Sequence, residues 1–255
     1  MLTTLVLWLQ PAPAKADGEA PKQLRAAVGV LAPYAFATPE EGGLLPDAFG
    51  LLSARLGESI RLSRVTYRRM TFMMENGDVD MAIMVRSPQS EKIALPIVRM
   101  ALSPLIVVGL KGTEIQSPEA AKALRLAAMR GGRFDIFEKA GEFEKMLFTH
   151  DYVLAAKMLR GGRIDAIGGP AEGVLRALQD EGFGAPDIGN VFVMDQLEVW
   201  LHVSRRSKLF ADHKVIALSA QAMVDDGTYG AIRQRYLASD LLEKMYGPLL
   251  EVPKN

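Results

Sequence analysis

A short phrase occurs twice in this chain, as Gly77-Asp78-Val79-Asp80-Met81-Ala82 and, 85 residues later, as Gly162-Arg163-Ile164-Asp165-Ala166-Ile167. Each copy follows a run with helical periodicity and opens a run of β type. The glycine suits the left-handed residue that ends a helix, the β-branched residue starts a strand, and the aspartate closes the turn between them. A helix-to-strand joint repeated at this distance predicts two similar α/β halves. Two halves leave a cleft between them, where a small ligand is favourably held.

Composition narrows the function classes. A chain of 255 residues with 49% hydrophobic content can bury one large core or two modest ones. Thirty basic and thirty acidic residues cancel, so no overall field draws the chain to nucleic acid or to an anionic membrane. With no cysteine there is no disulfide and no thiolate chemistry, and His150, His202 and His213 lack ligand spacing. No metal, cofactor or nucleic-acid partner is expected. At the N-terminus the apolar run Leu2 to Leu9 precedes Pro11-Ala12-Pro13-Ala14-Lys15-Ala16, which reads as an exported leader over 1–16 cleaved after Ala16. The basic residues that usually open such a leader are missing, and the alternative is a plain apolar terminus. No later run reaches the roughly 18 apolar residues of a spanning helix.

Along the rest of the chain the periods alternate. Strands are expected at Leu24 to Leu31, Ile60 to Val65 and Val79 to Val85, with helices at Asp47 to Leu56 and Arg69 to Glu75 between them and a polar turn from Arg86 to Glu91. A second half begins with a strand at Leu124 to Ala128, continues through helices at Arg133 to Lys145 and Asp151 to Leu159, and enters a strand at Ile164. Pro104 to Leu110, and Val191 to Val193 with Leu197 to Val203, are β-rich runs that would cross between the halves. Two helices, Lys214 to Val224 and Tyr229 to Leu237, close the chain. The order predicts an α/β fold with mostly parallel sheets.

The succession of Val65-Thr66-Tyr67, Asn76-Gly77-Asp78-Val79-Asp80, Ser87-Pro88-Gln89-Ser90-Glu91-Lys92, Leu159-Arg160-Gly161-Gly162-Arg163-Ile164-Asp165-Ala166 and Asp225-Asp226-Gly227-Thr228-Tyr229 resembles the family 3 extracellular solute-binding proteins of ABC importers. The likeness runs from Leu24 to Leu237, and its motifs are specific by order and spacing rather than singly. It implies a type II periplasmic-binding-protein fold: two lobes, each a mostly parallel sheet flanked by helices, on a two-strand hinge. Lobe 1 would comprise 24–106 and 194–255, and lobe 2 would comprise 107–193. It further implies a monomeric periplasmic receptor that hands a small molecule to an ABC permease in the inner membrane.

Departures from the family pattern bear on the ligand. Amino-acid-binding members usually place an arginine at the end of a Thr-x-x-Arg turn to grip the ligand carboxylate. Ser90 stands at that place here, or Lys92 in an ungapped register, and neither offers a planar fork. The acidic residue expected five positions after the second aspartate is replaced by Pro170. A standard α-amino acid would lose both anchors.

The candidate ligand contacts are Tyr34 and Phe36 after the first strand, Tyr67, Arg86 and Ser87 at the end of the strand begun at Val79, Arg130, Gly132 and Arg133 before a helix N-terminus, and Gly169. Each has a plain alternative: core packing for the aromatics, a solvated arginine for Arg86. The methionines Met70, Met73, Met74, Met81 and Met84 read as core. Asp80 and Asp165, at equivalent turns, read as turn structure rather than as an acid–base pair. With arginines in excess at the proposed cleft, an organic anion is the favoured ligand. The alternatives are an enzyme of the cyclohexadienyl or arogenate dehydratase type, for which Glu172 and His150 stand isolated as acid or base, and a sensor that reports ligand without transport.

Overall fold

The computed structural model describes residues 23–35, 40, 42–129 and 146–237. The leader expected over 1–16, Phe36, the Arg130 to Arg133 segment and the helix expected through Lys145 lie outside the described residues.

The first half runs β1 (Leu24–Gly29), α1 (Leu44–Leu56), β2 (Ile60–Val65), α2 (Tyr67–Asn76), β3 (Met81–Val85). Its strands pair in parallel in the order β2-β1-β3. Helix α1 begins at Leu44, three residues before Asp47 where the sequence pattern starts it, because Pro46 lies in the first turn, whose amides need no intrahelical partner. Helix α2 begins at Tyr67, since the Thr66 hydroxyl accepts from the Arg69 amide and caps it. The polar turn expected from Arg86 to Glu91 is in part a helix, α3 (Pro88–Ile93). Ser87 and Ser90 form a reciprocal capping box there, and Pro88 occupies the first helical position.

The longest strands among the described residues come next in the chain. Strand β4 (Ala94–Leu110) and strand β8 (Ile188–Ser204) each span 17 residues, about 55 Å of extended chain, and pair antiparallel over nearly their whole length. Between them in sequence come α4 (Pro118–Lys122), β5 (Leu126–Met129), β6 (Leu147–Thr149), α5 (Tyr152–Arg160), β7 (Ala166–Pro170) and α6 (Ala171–Asp180). A 3₁₀ turn (Lys208–Asp212) leads to α7 (His213–Asp225) and α8 (Thr228–Leu237). The eight described strands form one sheet in the order β2-β1-β3-β8-β4-β7-β5-β6. β3 pairs with Val199 to Val203 of β8, and β7 pairs with Leu105 to Gly109 of β4, so each lobe joins the long pair at opposite ends. Partway along the pair, Leu105 faces Asp195 and Ile106 faces Val193, leaving Met194 as an extra residue. Such a bulge bends and twists the pair there. Both faces of the first lobe's sheet are covered, by Leu44, Leu45, Ala48, Phe49 and Leu52 of α1 on one side and by Met70 and Met74 of α2 on the other.

The duplicated phrase makes the same joint twice. Gly77 and Gly162 take left-handed φ of 76° and 64°. Arg25 grips Asp80 through its own amide (2.8 Å), Nε (3.2 Å) and Nη2 (2.8 Å), and Arg125 grips Asp165 the same way at 2.8, 3.0 and 2.6 Å. The aspartate amides return bonds to the arginine carbonyls. Each aspartate thus ties the start of its strand to the start of the lobe's first strand. Asp80 is 4% exposed and also accepts from Ser207. Its burial alone would raise the carboxyl, but the bonds from Arg25 and Ser207 outweigh that and hold it below the usual carboxylate range. Asp80→Asn should cost about 2 kcal/mol by urea denaturation, and Asp165→Asn, on a pair more open to water, under about 1 kcal/mol.

Candidate functional site

The carboxyl ends of β1, β3, β5 and β7 converge where the lobes face each other, the edge at which open α/β sheets hold ligands. A cavity of about 90 Å³ lies there, lined from the first lobe by Tyr34, Tyr67, Met70 and Met84, from the long strands by Ser103 and Val199, and from the second lobe by Met129 and Pro170. Its remaining described lining residues are glycine or aliphatic, and none carries a charge.

Local structure places each group. After β1 the chain doubles back, Leu31 and Ala35 exchanging two backbone bonds of 3.0 Å, so Tyr34 stands on a tight loop above the strand's end. Tyr67 is the first residue of α2 and packs over Gly29, where a Cβ would meet its ring at 3.4 Å. Burial pushes the Tyr67 phenol up to about 12. Tyr152, first in α5, lies so close to Gly169 that a Cβ there would fall 2.4 Å from the phenol oxygen. Gly169 is therefore the seat of this ring. The Tyr152 hydroxyl is 1% exposed as a residue and has no hydrogen-bond partner among the described residues. Burial, and then the nearby Tyr67, push it above the ordinary phenol range.

Behind the cavity lies a buried polar cluster. Glu172, in the first turn of α6 and 2% exposed, accepts from Arg233 Nη2 of α8 at 3.1 Å on Oε1. Its Oε2 accepts from the Tyr34 hydroxyl at 3.1 Å and from Ser103 Oγ at very short range. Arg233 also donates to the Leu102 carbonyl. Helix α8 is held against α1 by Tyr236 and Arg235, both donating to Asp47, which sets the height from which Arg233 reaches across. The second lobe is thereby bound to the first lobe and to the long strands through one carboxylate. Burial and the Glu172 charge raise the Tyr34 phenol well above its ordinary value, so it stays protonated and donates.

Of the residues singled out from sequence, Tyr34 and Tyr67 line the cavity. Arg86 is not among the lining residues: it is 42% exposed, bonds Glu91 at 2.5 Å and Glu198 at 3.4 Å, and stacks over Trp200. Ser87 is engaged in capping α3, and Ser90 in the same box, next to His202 Nε2 at 3.4 Å. Lys92 is exposed. Met70 and Met84 are core residues, as expected, and also face the cavity. Glu172, isolated in sequence, is the centre of the buried cluster, and neither Arg233 nor Ser103 was marked by any local motif. Among the described residues no group of three or more His, Asp or Glu side chains could hold a metal, and no helix is long and apolar enough to cross a membrane.

No protein-family model and no curated protein matches the sequence. Solved structures do match the fold. A histidine kinase sensor domain described as similar to periplasmic binding proteins aligns with a TM-score of 0.74 at 13% identity, covering 86% of this chain and 97% of its own. A variant of ArgBP from T. maritima aligns at 0.70 and 16% identity, with coverage of 85% and 96%. The arginine-, lysine-, histidine-binding protein ArtJ from the thermophilic bacterium Geobacillus stearothermophilus aligns at 0.70 and 13%, with coverage of 88% and 99%. Two lobes on a pair of long shared strands, with the cavity between them, give this chain the fold of the periplasmic binding proteins.

Proposed function

We propose that this chain is the periplasmic solute receptor of an ABC importer, a monomer that encloses a small molecule between lobes 24–106 with 194–255 and 107–193 and presents the closed form to an inner-membrane permease. The observation that carries the reading is the cavity at the facing carboxyl ends of four strands, lined from both lobes and from the strands that join them. Bending at the Met194 bulge supplies the hinge motion. Export relies on the leader read over 1–16. The organic anion favoured on sequence would need a cation at the cavity, and the described lining residues include none. For the enzyme alternative, both oxygens of Glu172 are engaged, and the described lining residues include no carboxylate or imidazole. A sensory role without transport is the second reading, favoured by the likeness to a histidine kinase sensor domain.

The test is a thermal-shift screen of the purified protein against amino acids, organic acids, sugars and uncharged amides, followed by uptake of labelled hits in cells with and without the gene. A hit at 100 Kd should add about 2.7 kcal/mol of stability. Uptake that depends on the gene supports the importer; binding without gene-dependent uptake supports the sensor.

A further inference from the structure

We propose that Glu172 is a latch: it clasps the two lobes through bonds between protein groups, so that closure does not wait on a ligand, and its release opens the way to the interlobe cavity. The inference rests on the two-lobed fold and the lobe division given above, not on the importer or sensor reading or on any solute.

The clasp has one carboxylate on one side and several donors on the other. Glu172 lies in the first turn of α6, within 107–193, where the helix amides favour a negative charge. Its donors come from the other lobe: Arg233 of α8 and the Tyr34 hydroxyl, each at 3.1 Å, and Ser103 of β4 at very short range. Bonds to an ionised acceptor are the strong kind, and here they converge on a single group. The donors are also braced together. The Tyr34 carbonyl accepts from the Leu45 amide at 2.8 Å, while the Tyr236 hydroxyl of α8 accepts from the Gly43 amide at 3.3 Å and donates to Asp47 at 2.8 Å. The loop that carries Tyr34 and the helix that carries Arg233 therefore share an anchor, the start of α1. Across the gap, a Cβ added at Gly173 would lie 3.8 Å from the Tyr34 ring, so the backbone of α6 meets this loop closely too.

Burial makes the clasp a device with two positions. The Glu172 side chain is 2% exposed and that of Arg233 10%. A partial opening, too narrow to admit water, would part the charges without hydrating them, which is strongly unfavourable. A full opening hydrates both. The lobes are then either clasped or clearly open, with little between. Tyr34 and Ser103 also line the cavity, so a molecule there that engages either hydroxyl acts directly on the latch.

The test needs no ligand. The chain has no cysteine, so a single introduced thiol reports its own surroundings. Met84 is among the residues lining the cavity and Met74 is not, yet both belong to one apolar cluster of the first lobe, at 3% and 0% exposure. Met84→Cys and Met74→Cys are made separately in the full chain, each with and without Glu172→Gln, and modification by dithiobis(nitrobenzoate) is timed under native conditions. Without Glu172→Gln both thiols should react slowly. Glu172→Gln should speed the thiol at position 84 at least about tenfold more than the thiol at position 74, because the cleft opens while the lobe stays folded. Should Glu172→Gln fail to fold, Tyr34→Phe with Ser103→Ala keeps the ion pair, removes two bonds of the clasp, and should give a difference of at least about threefold. Small-angle scattering should show a larger radius of gyration once the latch is cut. Equal acceleration of the two thiols would make Glu172 a rigid structural contact and overturn the latch. A radius unchanged by cutting it would do the same, as would a thiol at position 84 that reacts like an exposed one with Glu172 in place. The receptor reading is judged apart, since it falls on a silent solute screen and no solute enters this experiment.

Discussion

Glu172→Ala should lower the stability of this protein by about 3–5 kcal/mol, the range for breaking a buried ion pair from one side. The carboxylate is 2% exposed and the Arg233 side chain 10% exposed, so neither can exchange its partner for water without the structure opening. Among the described residues, removing Glu172 leaves the Arg233 guanidinium with the 3.4 Å bond to the Leu102 carbonyl, and deprives the Tyr34 and Ser103 hydroxyls of their acceptor. Arg233→Ala should be similarly costly, since it leaves a carboxylate buried with two neutral donors. The double variant Glu172→Ala with Arg233→Ala should cost clearly less than the sum, by about 2 kcal/mol or more, because no uncompensated charge remains. Urea denaturation of the four proteins measures this coupling. Additive losses would mean that the pair does not join the lobes energetically.

The second large effect is a pH dependence. His202 is fully buried on β8, with Nδ1 at 3.0 Å from the Trp200 carbonyl and Nε2 at 3.4 Å from Ser90. Burial lowers its pKa to about 4; the Trp200 carbonyl and Glu91 pull the other way, and Arg86 adds to the lowering. In the unfolded chain the imidazole titrates near 6.5. The folded pKa lies below the unfolded one, so the unfolded state binds more protons between these values. The contribution is fully present above about pH 6.5 and is lost as pH falls toward 4, by about 3 kcal/mol in the limit. His202→Gln should be less stable at pH 7 yet show a flatter profile from pH 6.5 to 4.5. An unchanged profile would mean that His202 is not the group titrating.

How far the sequence carried this picture depends on the distance over which its signals act. Helix and strand order came from local periodicity, and the duplicated phrase located both lobes because Gly77 and Gly162 serve a turn only a few residues long. The partners of its aspartates were also legible in principle. Leu24-Arg25-Ala26-Ala27 and Leu124-Arg125-Leu126-Ala127 repeat as well, one before each joint, and a search for two paired repeats would have found the Arg25–Asp80 and Arg125–Asp165 clasps. Helix α3 was missed because its apolar content is low and its evidence is the Ser87–Ser90 cap, which looks like a turn in sequence. The site was harder to read. Tyr34, singled out for following a strand end, and Tyr67, singled out for its place in the family resemblance, both line the cavity. Glu172 and Arg233 are 61 residues apart and meet only because α8 is pinned to α1 by Asp47, so no window along the chain contains both. Arg86, chosen for its place at a strand end, is engaged by Glu91 five residues on and by Glu198 across the sheet.

On the proposed function, a small molecule is held between the lobes at the ends of β1, β3, β5 and β7. A crystal structure of the protein grown with its tightest hit from the solute screen tests it most directly. Ligand density is expected in contact with Tyr34 and Tyr67 on one side and Met129 and Pro170 on the other, with the Glu172–Arg233 pair intact behind it. Ligand density on the outer surface with the interlobe cavity unfilled would contradict it.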